Sequence, residues 1–296
     1  MELKRENYLL YLNWAFILSM IGLAYQHFFW DTPYLPFFWS EGIYTSVNDL
    51  FNIEKGTVIF GHRAVVVAEL ASWFCGTVFL IGAVLIWKRP DKALAKFVVQ
   101  LSGLVFLIFI ITDWHSDAFY LPHLFEKSAR IATVLLLFFI SRGQGIAFKP
   151  GAIRLIIKLS VAATFIFHGL FALNIFPIPG LFIDMTILIL KMDEQGARMF
   201  LGVIGVLDIL FSFGLFITKM ERVAYSYMII WGFLTAFARI AAHISLEIPL
   251  LQLHRWTFEF LIRTPHFLLP VAGIIMSAQN VKAVDGYNSF RQNTTA

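Results

Sequence analysis

Apolar residues recur in long runs from Leu9 to Met276, and the runs carry too few charges to be one face of a soluble core. They predict eight helical spans: Tyr8–Phe28, Ala64–Trp87, Leu94–Thr112, Ser128–Ser141, Ile153–Leu173, Met199–Thr218, Val223–His243 and Phe258–Met276. A helix needs about 20 residues to cross about 30 Å of hydrocarbon. Eight spans with short connectors therefore use up the 296 residues. The expected fold class is all-α, a polytopic membrane protein without a sizeable soluble domain.

The polar positions between the runs sort by sign. Of 23 Lys and Arg, 14 fall in the segments on the side that holds both termini, including Lys88–Lys96, Arg142–Lys158 and Lys219–Arg222. Only five of the 19 acids join them: Glu2, Glu6, Asp91, Glu221 and Asp285. Basic residues near span ends set orientation, so both termini are expected in the cytoplasm of a cell-membrane protein. The other acids then belong to the outer half. The first span follows Lys4 and Arg5 but lacks a small-residue cleavage site before Tyr25–Phe28, and reads as an uncleaved anchor.

The pattern also repeats. Residues 1–141 hold four spans, 142–152 a cytoplasmic linker, and 153–296 four more spans with a tail, which predicts two parallel four-helix bundles. Each first span ends in His and aromatics before a Pro-containing loop, at His27 with Pro33 and Pro36 and at His168 with Pro177 and Pro179. Each second span is preceded or opened by Gly-x-Arg, at Gly61-His62-Arg63 and Gly196-Ala197-Arg198. Each fourth span carries Glu and Arg four apart, Glu126 with Arg130 and Glu259 with Arg263. That separation puts both side chains on one helix face. The aromatic stretch from Trp30 to Gly61 is expected to form an external lid.

Composition narrows the function classes. The chain is 59% apolar and 14% charged, with a mean hydropathy of +0.75. An average soluble domain is about 25% charged. The net charge of +4 comes from the short basic loops, so topology accounts for it and nucleic acid is not an expected partner. The lone Cys75 excludes an internal disulfide and a CxxC motif.

The second half resembles the DoxX-like membrane family. The resemblance covers about residues 153 to 243 and rests on Thr164–Leu173, the Ile175-Phe176-Pro177-Ile178-Pro179 loop and Gly202–Leu210. Asp208 stands where that family more usually has Glu, and Ala172-Leu173 where a Lys is expected. The resemblance implies a four-helix membrane bundle, in some members a subunit of a quinone-linked oxidoreductase. Quinone or another lipid-like ligand, the lipid bilayer and further membrane subunits are the partners it suggests. An integral-membrane enzyme on a lipid or isoprenoid substrate is the alternative.

Charged groups inside hydrocarbon are costly unless they are paired or face a cavity, so they are the candidate site. Asp208 lies 11 residues before Lys219, about 16 Å of helical rise, near mid-membrane. It reads as a proton-accepting carboxylate, a cofactor anchor or an inter-helix hydrogen-bonding group. Arg239 and His243 share a helix face. They could hold an anionic or carbonyl group, or Arg239 could form an inter-repeat salt bridge with Asp113, Glu69 or Glu259. The expected arrangement puts Arg239 within salt-bridge distance of Glu259 or Asp113, beside a concave site with His168, Arg263 and His266. Haem is considered because Gly61-His62-Arg63 gives a weaker resemblance to haem A synthase, although the paired cysteines and the Glu-x-x-His-Arg spacing are missing. Bis-His ligation would need pairs such as His27 with His62 or His123, or His168 with His243 or His266. Asp113, His115, Asp117 and His123 form the densest polar patch, readable as a solvated loop or a divalent-metal site.

Overall fold

The computed structural model describes residues 7–38, 62–88, 92–142, 150–245 and 247–278, and every regular element among them is helical. The helices are α1 (Asn7–Phe29), α2 (Tyr34–Phe38), α3 (His62–Lys88), α4 (Ala93–Ser116), α5 (Leu121–Glu126), α6 (Ser128–Arg142), α7 (Pro150–Ala172), α8 (Gly180–Leu190), α9 (Glu194–Gly214), α10 (Glu221–Ala241), α11 (Pro249–Ile262) and α12 (265–278). Seven stretches are long and apolar enough to cross a membrane, α11 and α12 counting together as one. Helix α6 has 15 residues. At 1.5 Å per residue it rises roughly 22 Å, short of a full crossing. The chain is a multi-pass membrane protein. Most of the stretch expected to form a lid, and the 142–152 linker apart from its two ends, lie outside the described residues.

Neighbour relations in the two halves correspond. Helix α1 packs on α3 as α7 packs on α9, α3 on α4 as α9 on α10, and α4 on α6 as α10 on α11. The halves meet where α1 touches α11 and where α6 touches α7. Lipid tails are as apolar as these side chains, so tight backbone approach must replace hydrophobic drive. Glycines provide it. A Cβ on Gly169 of α7 would sit 2.6 Å from the Gly205 carbonyl of α9, and one on Gly205 would sit 2.7 Å from the Gly169 carbonyl. A Cβ on Gly232 of α10 would meet the His266 carbonyl at 2.6 Å.

Both fourth spans are broken, which the hydropathy pattern does not show. In the second half Pro265 has no N–H to give Leu261, and the residue before a proline is steered out of helix. Thr264 takes over, donating its N–H (3.2 Å) and its hydroxyl (2.8 Å) to the Leu261 carbonyl. The Arg263 carbonyl then accepts from the backbone N–H of His266 at 2.9 Å and from its ring Nδ1 at 3.0 Å. In the first half the break falls at Lys127, between α5 and α6. The first N–H groups of a helix lack internal partners. The Ala129 N–H finds one across the half boundary in the Thr164 hydroxyl, at 2.9 Å.

One further element was hidden in the sequence. Leu181–Leu190, read as a connector, forms most of α8, which packs on α9 and α10 without spanning. Asp193 then caps α9 by accepting from the Gly196 N–H at 2.8 Å.

Charges gather at the two ends of the second half and its boundary. At the end where α7 and α10 begin, Glu221 pairs with Arg154 (2.7 Å) and Lys158 (3.0 Å), and the Ser277 hydroxyl of α12 donates to it. At the opposite end Lys127 binds Asp113 (2.6 Å) and Asp117 (3.1 Å), while His123 contacts Asp117 at 3.1 Å.

Candidate functional site

Between α7, α8, α9, α10 and the α11–α12 break lies a cavity of about 430 Å³. Ligand pockets commonly fall between about 300 and 1,000 Å³. Phe182, Met185 and Ile189 of α8, Leu201 and Ile204 of α9, and Leu234 of α10 form apolar walls. Polar side chains also reach the wall. Asp208 and Trp231 belong to one group on the wall, and His168, Arg239, Arg263 and His266 to a second group near the α11–α12 break.

Asp208 is 2% exposed, and the Tyr227 hydroxyl donates to its Oδ1 at 2.7 Å. Stacking on Phe211, at 4.3 Å between ring centroids, fixes the Tyr227 ring. The carboxyl group lies beside the Gly169–Gly205 contact, where the missing side chains let α7 and α9 close over it.

Near the α11–α12 junction the helix break sets the geometry. Arg263 pairs with Glu259 one turn earlier, as their spacing of four predicts. His266 and His168 stack at 5.4 Å between centroids with planes 26° apart, and His168 Nε2 lies 3.4 Å from Glu126 Oε1. That contact is close enough for a charge interaction but lacks hydrogen-bond geometry, so the ring nitrogen is unsatisfied. His266 donates its Nδ1–H to the Arg263 carbonyl, which leaves Nε2 as an acceptor. Glu126 lies in the short α5, outside the spanning stretches. Burial alone would push its carboxyl up; His168, together with Arg263 and Arg130, outweighs burial and holds it well below the usual carboxylate range.

Arg130, buried but outside the cavity lining, has no carboxylate within 4.0 Å among the described residues, and neither has Arg239. Arg239 is 6% exposed and lines the cavity. Its lack of a carboxylate partner corrects the expected salt bridge. Glu259 is taken by Arg263, Asp113 by Lys127, and Glu126 sits against His168. The expected concave site beside Arg239 is present. An isolated buried charge costs several kcal/mol, so Arg239 is suited to a negative partner delivered into the cavity.

Other candidates fall elsewhere. Helix α10 ends at Ala241, so the helical spacing that put His243 beside Arg239 no longer applies. His243 instead donates Nδ1–H to the Arg239 carbonyl at 2.8 Å and stacks on Trp256 at 3.7 Å, away from the cavity lining. Glu69 is exposed on α3, and Asp113 belongs to the Lys127 cluster. The Glu126–Arg130 pair is not formed, because the break at Lys127 separates the two residues. His62 and its neighbours' side chains lie outside the described residues.

Neither haem nor a divalent metal suits these groups. His168 and His266 meet face to face, so their ring nitrogens do not point at each other across a gap for an iron. In the Asp113–Asp117–His123 patch the Lys127 ammonium occupies the cation's place, and His115 packs edge-on against Phe37 and Phe119. Among the described residues no group of three or more His, Cys, Asp or Glu is placed to hold a metal ion. Compared with protein-family models, curated proteins and solved structures, the chain matches none of them.

Of the residues singled out from the sequence, Asp208, His168, Arg239 and Arg263 line this cavity and Glu259 pairs with Arg263; α8 and the two helix breaks were not anticipated. A largely apolar segment from Leu181 to Leu190, interrupted by Asp184 and Thr186, and a Thr-Pro pair inside the last span were the available signals.

Proposed function

We propose that this protein crosses the membrane eight times as two parallel four-helix repeats, 1–141 and 153–296 joined by 142–152, and holds a lipid-like ligand in the cavity of the second repeat. The observation that carries the reading is Arg239, buried and without a carboxylate partner, at the wall of an otherwise apolar cavity. Irregular backbone at membrane depth is tolerated where it lines a cavity, and the α11–α12 break meets that condition. The corresponding neighbour relations of the two halves support the repeat.

With both termini in the cytoplasm of a cell-membrane protein, the Arg239 end of the cavity lies in the outer leaflet. The DoxX-like resemblance places such a protein in a redox assembly whose ligand is a quinone, with other membrane subunits as partners. Catalysis on a bound lipid is a second reading, favoured by Asp208, which lines the same cavity and accepts from the Tyr227 hydroxyl.

Native mass spectrometry of the purified protein tests the ligand. A bound species in the lipid mass range should appear, and Arg239→Ala should lose it. A protein that purifies without such a species, and whose thermal unfolding does not respond to added quinone or lipid, would refute the reading. Cysteines introduced at Lys92 and Lys149 should resist an impermeant thiol reagent in intact cells while one at Asn48 reacts; the reverse pattern would overturn the orientation.

A further inference from the structure

We infer that the cavity takes an amphiphile whose head carries a single negative charge, an oxyanion on an apolar tail, rather than a neutral ring or alcohol. This rests on the cavity holding a lipid-like ligand and concerns what the head must be.

Three guanidiniums, Arg130, Arg239 and Arg263, act together on Glu259, and Arg130 and Arg263 act also on Glu126 and His266. Two carboxylates, Glu126 and Glu259, stand among them. Further out, Asp113 and Asp117 are engaged by Lys127 and His123. Arg263 is answered by Glu259, whereas Arg130 and Arg239 are both buried with no carboxylate within 4.0 Å among the described residues, and of these two Arg239 is the one that lines the cavity. Asp208 cannot answer it. Its partner Tyr227 is 12 residues before Arg239 on α10, roughly 18 Å of helical rise away. Snorkelling is excluded as well, because the guanidinium is buried rather than directed to a membrane surface.

A guanidinium presents donors in a planar fork that matches an oxyanion, and a buried ion needs both charge and hydrogen bonds answered. A quinone carbonyl could accept a hydrogen bond but would leave the charge. A fatty-acid carboxylate or a phosphodiester headgroup answers both. The tail then lies along Leu201, Ile204 and Phe182.

The test uses the full-length protein, delipidated in a neutral maltoside detergent, with four probes: oleate, oleyl alcohol, oleoyl-lysophosphatidylglycerol and decylubiquinone. Oleate should bind at least tenfold more tightly than oleyl alcohol to the unaltered protein. Arg239→Gln should remove that preference, while Arg239→Lys restores part of it. If the lysophospholipid shares the Arg239 dependence and outcompetes oleate, the head belongs to a membrane phospholipid; if oleate wins, to a free fatty acid. Both results support an oxyanion. Alcohol or quinone binding as tightly as oleate would overturn it while leaving the lipid-like reading intact. Failure of all four probes to bind would remove both. The alcohol–carboxylate comparison needs no variant, so it decides even if Arg239→Gln does not fold.

Discussion

The two halves place a histidine at the same point, near the end of their first helix, and surround it differently. His27 of α1 is saturated: Nδ1 donates to the Leu23 carbonyl at 2.7 Å, and Nε2 accepts from the Tyr34 hydroxyl at 2.8 Å. Phe79 and Phe109 close against its ring. His168 of α7 has an unsatisfied Nε2 and a cavity in front of it. The glycines that let the helices approach are succeeded by different side chains. Three residues after Gly76 comes Phe79, and three residues after Gly205 comes Asp208. One half uses that position to fill space and the other to leave space with a polar group in it. The difference teaches where to look for function, because buried volume and unmet hydrogen bonds coincide only in the second half.

The contrast breaks most readily at Phe79. Its side chain is fully buried, so Phe79→Ala should cost about 3–5 kcal/mol of stability. Phe182→Ala at the cavity wall should cost much less while lowering ligand retention, as read by thermal unfolding and native mass spectrometry. Equal losses would mean that the second half is as tightly filled as the first.

Next in size is the histidine pair. His27→Ala strips the buried Tyr34 hydroxyl of its acceptor and should destabilise by about 1–3 kcal/mol. His168→Ala removes the 3.4 Å contact that helps hold buried Glu126 ionised, so its cost should shrink as acid protonates Glu126, whereas the cost of His27→Ala should not follow Glu126. An equal pH dependence of the two would reverse the assignment.

Acid sharpens the comparison through Glu126. Because its carboxyl is held below the ordinary value of about 4.3, its ionised form contributes stability above that pH. The contribution is lost as pH falls through the lower folded value. Glu126→Gln should therefore flatten the acid limb of a stability–pH profile while leaving neutral behaviour with a smaller change. An unaltered acid limb would show that the His168, Arg263 and Arg130 surroundings do not hold Glu126 ionised.

The smallest effects belong to exposed charges. Glu69→Gln and Glu194→Gln should each change stability by under about 1 kcal/mol and leave bound ligand unaltered, since Glu69 is exposed and Glu194 makes only an exposed pair with Arg198. Loss of ligand in Glu69→Gln would return the first half to the candidate site.

The sequence made the spans legible because hydrocarbon admits little but long apolar helices, and α1, α3, α4, α7, α9 and α10 lie close to where the runs predicted them. It was less informative wherever a helix stops inside the membrane. Glu259 and Arg263 keep the helical spacing because α11 runs to Ile262 and Arg263 is its C-cap. Glu126 and Arg130 do not, because the break at Lys127 intervenes, and His243 leaves Arg239's face because α10 has already ended. Helix α8 was invisible for another reason: its 11 residues, interrupted by Asp184 and Thr186, are too few to span, and their periodicity does not separate a connector from a short packed helix. The partner of Arg239 was beyond reach in principle, since one-dimensional spacing says nothing about which carboxylates are already engaged.

The Glu221 cluster has a mechanical meaning. Arg154 and Lys158 of α7, Glu221 of α10 and Ser277 of α12 tie three rods together at one end, while the cavity lies between those same rods farther along. Rods fastened at one end part most easily at the other. The second half is in this sense a fork with a fixed handle, its tines held in register at the Glu221 joint and the cavity set between them.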